Sequence, residues 1–235
     1  MSRSLTLLGL TALVAAQGYS SECSDITLNN SWLVATCPTG NGDEITSSVF
    51  LANKIGNNGG NLEWAANGEY RETCEECVLN DAATLFCRCR VADRPSLQDT
   101  TINLEEHIAN YEGHLLSDQA GPVTTIPKNS DVAVPSDFGV EILLNGPSSS
   151  CATFGVTLGL NDPTDCFYLD LGGDISYPTA SSANNQGWEI AGYTDADCAT
   201  EPAITFTQGN VGECYTELSP GLKAFSVKPL WNADY

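Results

Sequence analysis

TTINLEEHIANYEGHL, residues 100–115, has a second copy earlier in the chain, SSVFLANKIGNNGGNL, residues 47–62. Aligned without a gap, the two segments place apolar residues opposite apolar residues and glycine opposite glycine. The matched pairs are Val49 with Ile102, Leu51 with Leu104, Ile55 with Ile108, Asn57 with Asn110, Gly60 with Gly113 and Leu62 with Leu115. Agreement of this kind at a constant offset indicates an internal repeat.

Each copy has a local pattern that predicts a strand, a turn and a second strand. Alternating apolar residues indicate a half-buried strand, after which Asn103 caps a short helical turn with Glu106 reaching back from the third position. Asn110 and Gly113 then bracket a tight reversal that requires a positive φ. The chain is therefore expected to contain two similar halves.

The N-terminus has the features of a secretory signal peptide, assigned to residues 1–18. Arg3 precedes an apolar run that ends in Ala15 and Ala16, and cleavage is expected near Ala16 or Gly18. The run is shorter than the roughly 20 residues that span a bilayer, and no later stretch is long enough. The sequence therefore predicts a secreted, extracellular protein without a membrane anchor.

Ten cysteines, an even number, agree with an oxidising compartment. Cys23 and Cys37 flank a predicted hairpin with Asn29, Asn30 and Ser31 at its turn, so a bridge between them would close it. Asn29 also begins an Asn-Asn-Ser acceptor sequence, which makes it a candidate glycosylation site.

Four further cysteines lie on the two strands of a second hairpin. Cys74 with Cys89 and Cys77 with Cys87 fit one antiparallel register that contains a bulge. The same residues also form a Cys-x-x-Cys and a Cys-x-Cys pair, so a zinc site is an alternative. Because thiols oxidise in a secreted chain, we favour two disulfides and expect no metal.

The net charge of −21 excludes some partners. Phosphate backbones and anionic membrane surfaces would be repelled, so neither nucleic acid nor a membrane is expected as a partner.

The run INLEEHIANYEGHL, residues 102–115, closely resembles the signature of the cyanovirin-N homology (CVNH) family of small sugar-binding proteins. The resemblance extends over residues 19–118 and includes GNLEW, residues 60–64, and the cysteine positions. It implies a pseudo-symmetric all-β lectin domain that binds mannose-type oligosaccharides or glycoproteins through two shallow, metal-free sites. The bridge Cys74–Cys89 matches the family's usual one, while Cys77–Cys87 looks like an extra found in some members. The family's interleaved halves make a domain-swapped dimer an expected route to oligomers.

The resemblance also implies which residues bind sugar, since adjacent hydroxyls need carboxylates, amides, hydroxyls or guanidinium groups on rigid turns. Tyr111 would add an aromatic face for a pyranose ring, whereas Pro38 departs from the charged residue common in the family. The first site comprises Ser21, Glu22, Thr39, Asn41, Asn110, Tyr111 and Glu112.

The second site comprises Asn57, Glu72, Thr73 and Arg90. Gly56 and Gly59 stand where carboxylates are common in the family, so the first site is expected to bind sugar better than the second.

Structural interpretations remain open for the same residues. Asn57 and Asn110 could serve only as turn formers, and Glu72 could form a cross-strand pair with Arg90. Trp32 and Trp64 are expected in the core. The two histidines, His107 and His114, lack companions that would complete a metal or catalytic set.

Residues 119–135, with three prolines and small polar residues, are predicted to be a linker. Residues 136–235 form a second predicted domain, of unknown role, with about six short strands arranged as a small antiparallel sandwich or barrel. Its cysteines would pair with their nearest neighbours, although four cysteines allow three connectivities. Its tail weakly resembles small secreted proteins of filamentous fungi. The proposed pairs are Cys151 with Cys166 and Cys198 with Cys214.

The predicted fold is therefore all-β, and the predicted function is that of a secreted lectin without a cofactor. The alternative is a secreted structural or interaction protein that kept the fold but lost sugar binding. A hydrolase ranks last, because the carboxylate pairs of the second domain lack the spacing of a known site and are explained as exposed turn acids. These pairs are Asp162 with Asp165, Asp170 with Asp174, and Asp195 with Asp197.

Overall fold

A computed structural model describes residues 18–92, 94, 96–145, 151, 155–169, 177–216 and 218–235. The predicted signal peptide, apart from Gly18, lies outside these residues, as do Asp170 and Asp174. The chain divides into two compact units, one running to Lys128 and including Asp234–Tyr235, the other spanning Asn129–Ala233. This division falls inside the predicted linker, and the last two residues belong to the first unit rather than to the second. Within the described ranges, no helix is long and apolar enough to cross a bilayer.

The first unit consists of short strands joined by tight turns, with a single turn of helix before each cysteine-bearing hairpin. Its elements are α1 (Tyr19–Glu22), β1 (Ser24–Asn29), β2 (Trp32–Pro38), β3 (Glu44–Phe50), β4 (Ile55–Asn58), β5 (Asn61–Trp64), a 3₁₀ turn (Tyr70–Glu72), β6 (Cys74–Leu79), β7 (Thr84–Arg90), β8 (Leu97–Asn103), a second 3₁₀ turn (Leu104–Glu106), β9 (Ile108–Tyr111) and β10 (His114–Ser117).

Each copy of the repeat contributes a hairpin that packs on a strand of the other copy. Strands β1, β2 and β3 are neighbours in one sheet, and β6, β7 and β8 form another. Hairpin β9–β10 contacts β3, and hairpin β4–β5 contacts β8. The Leu115 amide donates to Ser47 Oγ at 2.8 Å, and the Leu62 amide donates to Thr100 Oγ1 at 3.0 Å. The two halves are thus interleaved.

The reversals of the two hairpins have the same backbone conformation. Gly59 and Gly60 have φ angles of 61° and 104°, and Glu112 and Gly113 have φ angles of 51° and 94°. Two-residue hairpin turns of the type that follows the strand twist require positive φ at both central positions. The predicted positive-φ reversal is therefore present in both copies.

The cap predicted at Asn103 is also present, because its side chain accepts a hydrogen bond from the Glu105 amide at 3.0 Å. Glu106 does not reach back as predicted, since its carboxylate accepts from Trp64 Nε1 at 3.3 Å. Trp64 is half-buried rather than in the core. It ends β5 and packs edge-to-face with the His107 ring, whereas Trp32 is fully buried as predicted.

All three predicted bridges of the first unit form: Cys23–Cys37, Cys74–Cys89 and Cys77–Cys87. The register of β6 and β7 shifts between Glu75 and Val78, where Glu76 has a φ of 53°. This shift is the predicted bulge, and it lets both sulfur pairs fit one hairpin. Because all four cysteines form disulfides, they are not available as zinc ligands, and the zinc alternative is wrong.

The second unit contains more strands than the six predicted. Its elements are β11 (Val140–Asn145), β12 (Val156–Leu160), β13 (Thr164–Tyr168), β14 (Thr179–Asn184), β15 (Trp188–Tyr193), β16 (Ile204–Phe206), a 3₁₀ turn (Gln208–Asn210), β17 (Cys214–Tyr215) and β18 (Ala224–Pro229). The last described strand, β19 (Ala233–Asp234), begins at the end of the second unit and includes Asp234 of the first.

The strands of the second unit form two separate antiparallel sheets, with orders β12–β11–β14–β17 and β13–β18–β15–β16. Strand β14 was not predicted, because its sequence TASSAN has no apolar alternation. Its first four residues are nevertheless buried, since β14 lies inside its sheet between β11 and β17.

The disulfides of the second unit differ from the predicted nearest-neighbour pairs, for Cys151 bonds to Cys214 and Cys166 bonds to Cys198. Cys214 lies in β17, in the sheet of β12, whereas Cys166 lies in β13 of the other sheet. The chain changes sheets between Cys151 and Cys166, so these sequence neighbours do not pair.

Candidate functional site

Asn110 ties together the three segments that form one end of the first unit. Its amide nitrogen donates to Glu22 Oε2 and to the Pro38 carbonyl, each at 3.1 Å. Its Oδ1 accepts from the Gly113 amide at 2.8 Å. The residue before the first cysteine, the residue after the second and the turn of the second repeat are therefore held side by side.

Asn57 makes the equivalent contacts at the end built around the other cysteine hairpin. Its amide nitrogen donates to Thr73 Oγ1 at 3.0 Å and to the Arg90 carbonyl at 2.9 Å, and its Oδ1 accepts from the Gly60 amide at 2.7 Å. Thr73 precedes Cys74 and Arg90 follows Cys89, just as Glu22 and Pro38 flank Cys23 and Cys37. Both asparagines use their two amide protons within the protein, so the turn-forming interpretation of these residues applies.

The first end, which we define as Glu22, residues 39–43, Asn110 and Glu112, presents exposed polar groups on a fixed backbone. Thr39 Oγ1 donates to the Asp43 carbonyl at 3.1 Å and accepts from the Asn41 amide at 3.3 Å. Glu22, Asn41 and Glu112 are exposed. Ser21 differs, because its hydroxyl donates to the carbonyl of Gly18, the residue before α1, at 2.9 Å.

Tyr111 does not present an aromatic face to a ligand, since it is only 7% exposed. It clusters with Ala109 and Leu116, and Val123 and Ile126 pack on this cluster. Strand alternation points Asn110 toward the first end and Tyr111 to the opposite face, which the chain after β10 covers. Burial, and to a smaller extent the charge of Asp118, raises the pKa of the Tyr111 phenol.

Strand alternation also points position 56 of β4 away from the second end, since its neighbour Asn57 points toward that end. A Cβ there would lie 3.3 Å from Ala65 and from the Gly68 backbone, so the segment after β5 fills that space. Around Gly59 no heavy atom of the described chain lies within 4 Å of a Cβ position. The turn at Gly59 is therefore open to solvent. At position 56, by contrast, there is no room at the second end's surface for a sugar-binding carboxylate, so Gly56 does not mark a lost sugar contact.

The second end, which we define as Asn57, Thr73, Arg90 and Arg94, borders a depression of about 460 Å³. The depression is lined by Glu75, Arg90, Arg94 and Leu97. Arg94 was missed by sequence reasoning, although it lies in the segment after Cys89 that corresponds to residues 39–43 of the first copy. The Arg90 amide donates to the Thr73 carbonyl at 2.9 Å, and no ion pair joins Arg90 to Glu72 in the part of the chain described.

The remaining candidates lie apart from these ends. His107 Nδ1 contacts Asp118 Oδ1 at 2.7 Å. In the second unit, the Asp195 carboxylate accepts from the Ala199 amide at 2.7 Å and from the Thr200 hydroxyl. The Thr200 and Ala199 hydrogen bonds lower the pKa of Asp195 to about 2. Across the described ranges, no three His, Cys, Asp or Glu side chains converge as a metal-binding group.

Comparison with known proteins supports an assignment for the first unit. A family model described as the CVNH domain matches residues 19–116. Three solved structures are similar over less than half of this chain. The CVNH protein of Gibberella zeae is 25% identical, with a TM-score of 0.39, covering 42% of this chain and 95% of that one. That of T. borchii is 27% identical, with a TM-score of 0.39, covering 42% and 97%.

The third structure is microvirin in complex with mannobiose, 27% identical with a TM-score of 0.37, covering 43% of this chain and 97% of that one. The family match spans both copies of the repeat and the first three disulfides. Residues 19–116 of this chain are a CVNH domain.

Proposed function

We propose that the CVNH domain is a lectin domain that binds mannose-type oligosaccharides at its first end. The observation that carries this proposal is the set of Asn110 hydrogen bonds, which hold Glu22 beside the loop of residues 39–43 and the Glu112 turn. Sugar hydroxyls are recognised by carboxylates and amides held on rigid backbone. Glu22, Asn41 and Glu112 are exposed and could accept or donate such hydrogen bonds.

The proposed binding needs neither a metal nor a catalytic group. We also propose that the protein acts outside the cell, since all ten cysteines are paired, as expected in an oxidising compartment. Glycosylation of Asn29, the last residue of β1, and exchange of a repeat between chains stay predictions.

The test is retention of the full chain on immobilised mannan with release by free mannose oligosaccharides. Asn41→Ala combined with Glu112→Ala removes two exposed side chains without touching the Asn110 contacts, and should abolish retention while the unfolding curve stays unchanged. Glu141→Ala, an exposed glutamate of the second unit, is the control and should be retained like the natural protein. Retention of the double variant at full strength would overturn the proposed site.

A second candidate function is an interaction protein that kept the fold without sugar binding. The observation in its favour is that both amide protons of Asn57 and Asn110 are donated within the protein. A folded chain that binds nothing on a broad glycan array would favour this function over the lectin.

A further inference from the structure

The two ends of the CVNH domain differ in charge. The segments that build the first end, residues 18–45 and 107–118, contain no lysine or arginine. Exposed acids surround it, namely Glu22, Asp43, Glu44 and Glu112. Such an end can accept hydrogen bonds from the hydroxyls of a neutral sugar but would repel an anionic one.

The second end instead has two guanidinium groups in one concave surface. Arg90, the last residue of β7, is opposite Leu97 of β8, and both line the depression of about 460 Å³ with Glu75 and Arg94. The Arg90 backbone is fixed by hydrogen bonds to Asn57 Nδ2 and the Thr73 carbonyl. Binding at such a residue orders its side chain without the added cost of ordering its backbone.

These two arginines differ from Lys54 and Arg88, two other basic residues of the domain, which form ion pairs. Lys54 pairs with Asp234 at 3.0 Å, and Arg88 pairs with Glu76 at 3.2 Å and with Asp99 at 3.5 Å. Arg90 and Arg94 form no ion pair with any residue that the structure describes. The described lining of the depression contains these two arginines and one glutamate, Glu75, so it carries a net positive charge in a chain of net charge −21.

We propose that the second end binds an acidic saccharide, with Arg90 and Arg94 contacting the carboxylate of a uronic acid unit. A guanidinium group matches a carboxylate because its donors form a planar fork. Glu75 would accept a hydrogen bond from a ring hydroxyl, and Thr73 Oγ1, which accepts from Asn57, still has its proton to donate. The inference rests on the proposed saccharide binding and gives the second end a ligand class different from that of the first.

The experiment is calorimetric titration of the full chain with an oligogalacturonate and with the same oligomer as its methyl ester. The ester keeps the rings and hydroxyls but removes the charge. We expect esterification to weaken binding by at least about tenfold, a difference well within calorimetric resolution. Arg94→Gln should weaken binding of the acid to a similar extent and leave binding of the ester unchanged.

Arg88→Gln is the matched control, because it removes the same charge from the same domain outside the depression, and it should bind the acid like the natural protein. Equal binding of acid and ester, or equal loss in the Arg94 and Arg88 variants, would overturn the proposal. Complete displacement by inorganic phosphate or sulfate at equal concentration would show a simple anion site and would also overturn it. Mannan retention, tested through Asn41 and Glu112, reports on the first end alone, so failure of one proposal is distinguishable from failure of the other.

Discussion

His114 is an ionisable side chain buried within the hairpin that carries the first end. It lies in β10 opposite Tyr111 and is 4% exposed. Burial lowers its pKa, and the nearby charge of Glu112 opposes this to a smaller extent. The residue at the matching position of the first repeat is Asn61, an exposed amide that does not titrate.

We therefore predict that the free energy of unfolding falls as the pH drops below about 6.5, the ordinary pKa of histidine. The unfolded chain takes up a proton at His114 before the folded chain does, so the stabilisation is complete above that pH and is lost toward the lowered folded pKa. Urea unfolding at pH 5 to 8 should show this slope, and His114→Asn should reduce it. His107→Asn is the control, since it removes the other histidine; a slope that vanishes only in the control would contradict the prediction.

For single residues, the sequence predicted correctly those roles that depend only on neighbours along the chain. Asn103 was identified as a cap from its place before a short helical turn, and its side chain does accept the Glu105 amide. It failed for Tyr111, whose burial depends on Val123 and Ile126. Those residues lie in a stretch that was interpreted as a linker, and a linker would leave the ring in solvent.

At the scale of elements, the two hairpins of the repeat are held by equivalent asparagines. Asn57 and Asn110 each bond to one side chain, to one carbonyl and to the glycine amide of their own turn. The repeat predicted that both hairpins exist and that their turns match. The repeat alone did not predict that each hairpin packs on a strand of the other copy, because a periodic pattern contains no information about which copy supplies the neighbouring surface. That expectation came only from the resemblance to the CVNH family.

Asn57→Ala and Asn110→Ala should each lower the free energy of unfolding by about 1–3 kcal/mol, since each leaves a carbonyl and a turn amide without a partner. The two effects should add to within about 0.5 kcal/mol, because the two asparagines share no partner. Urea denaturation of both single variants and the double variant measures this. Asn58→Ala, which removes only an exposed contact to Glu63 at 2.9 Å, should change stability little. Costs that differ severalfold between Asn57 and Asn110 would argue against equivalent hairpins.

For the whole molecule, the sequence predicted two all-β domains and the bridges of the first, but not the bridges of the second. In the first unit, each bridge closes a single hairpin, and therefore local register was sufficient to identify the pairs. In the second unit, a bridge spans 63 residues and another spans 32, and their partners depend on which strands share a sheet. Strand β14, essential to that arrangement, has no apolar alternation by which it could be recognised.

Peptide mapping of the unreduced protein should therefore recover a fragment that links Cys151 to Cys214 and another that links Cys166 to Cys198. Replacing Cys151 and Cys214 by alanine should lower the free energy of unfolding of the second unit by about 4 kcal/mol, because the bridge closes a long loop. The thermal transition of the CVNH domain should change little in that variant. A fragment that links Cys151 to Cys166 would contradict the assigned connectivity.

The hydrogen bonds accepted by the Ser47 and Thr100 hydroxyls bear on how such a domain arises by duplication. Each accepts the amide of a leucine from the opposite copy. A polypeptide with a single copy would leave that amide without its acceptor unless another molecule supplied one, and its folding would then depend on protein concentration. Joining two copies in one polypeptide makes this contact intramolecular, so folding of the fused product does not require an encounter between two molecules.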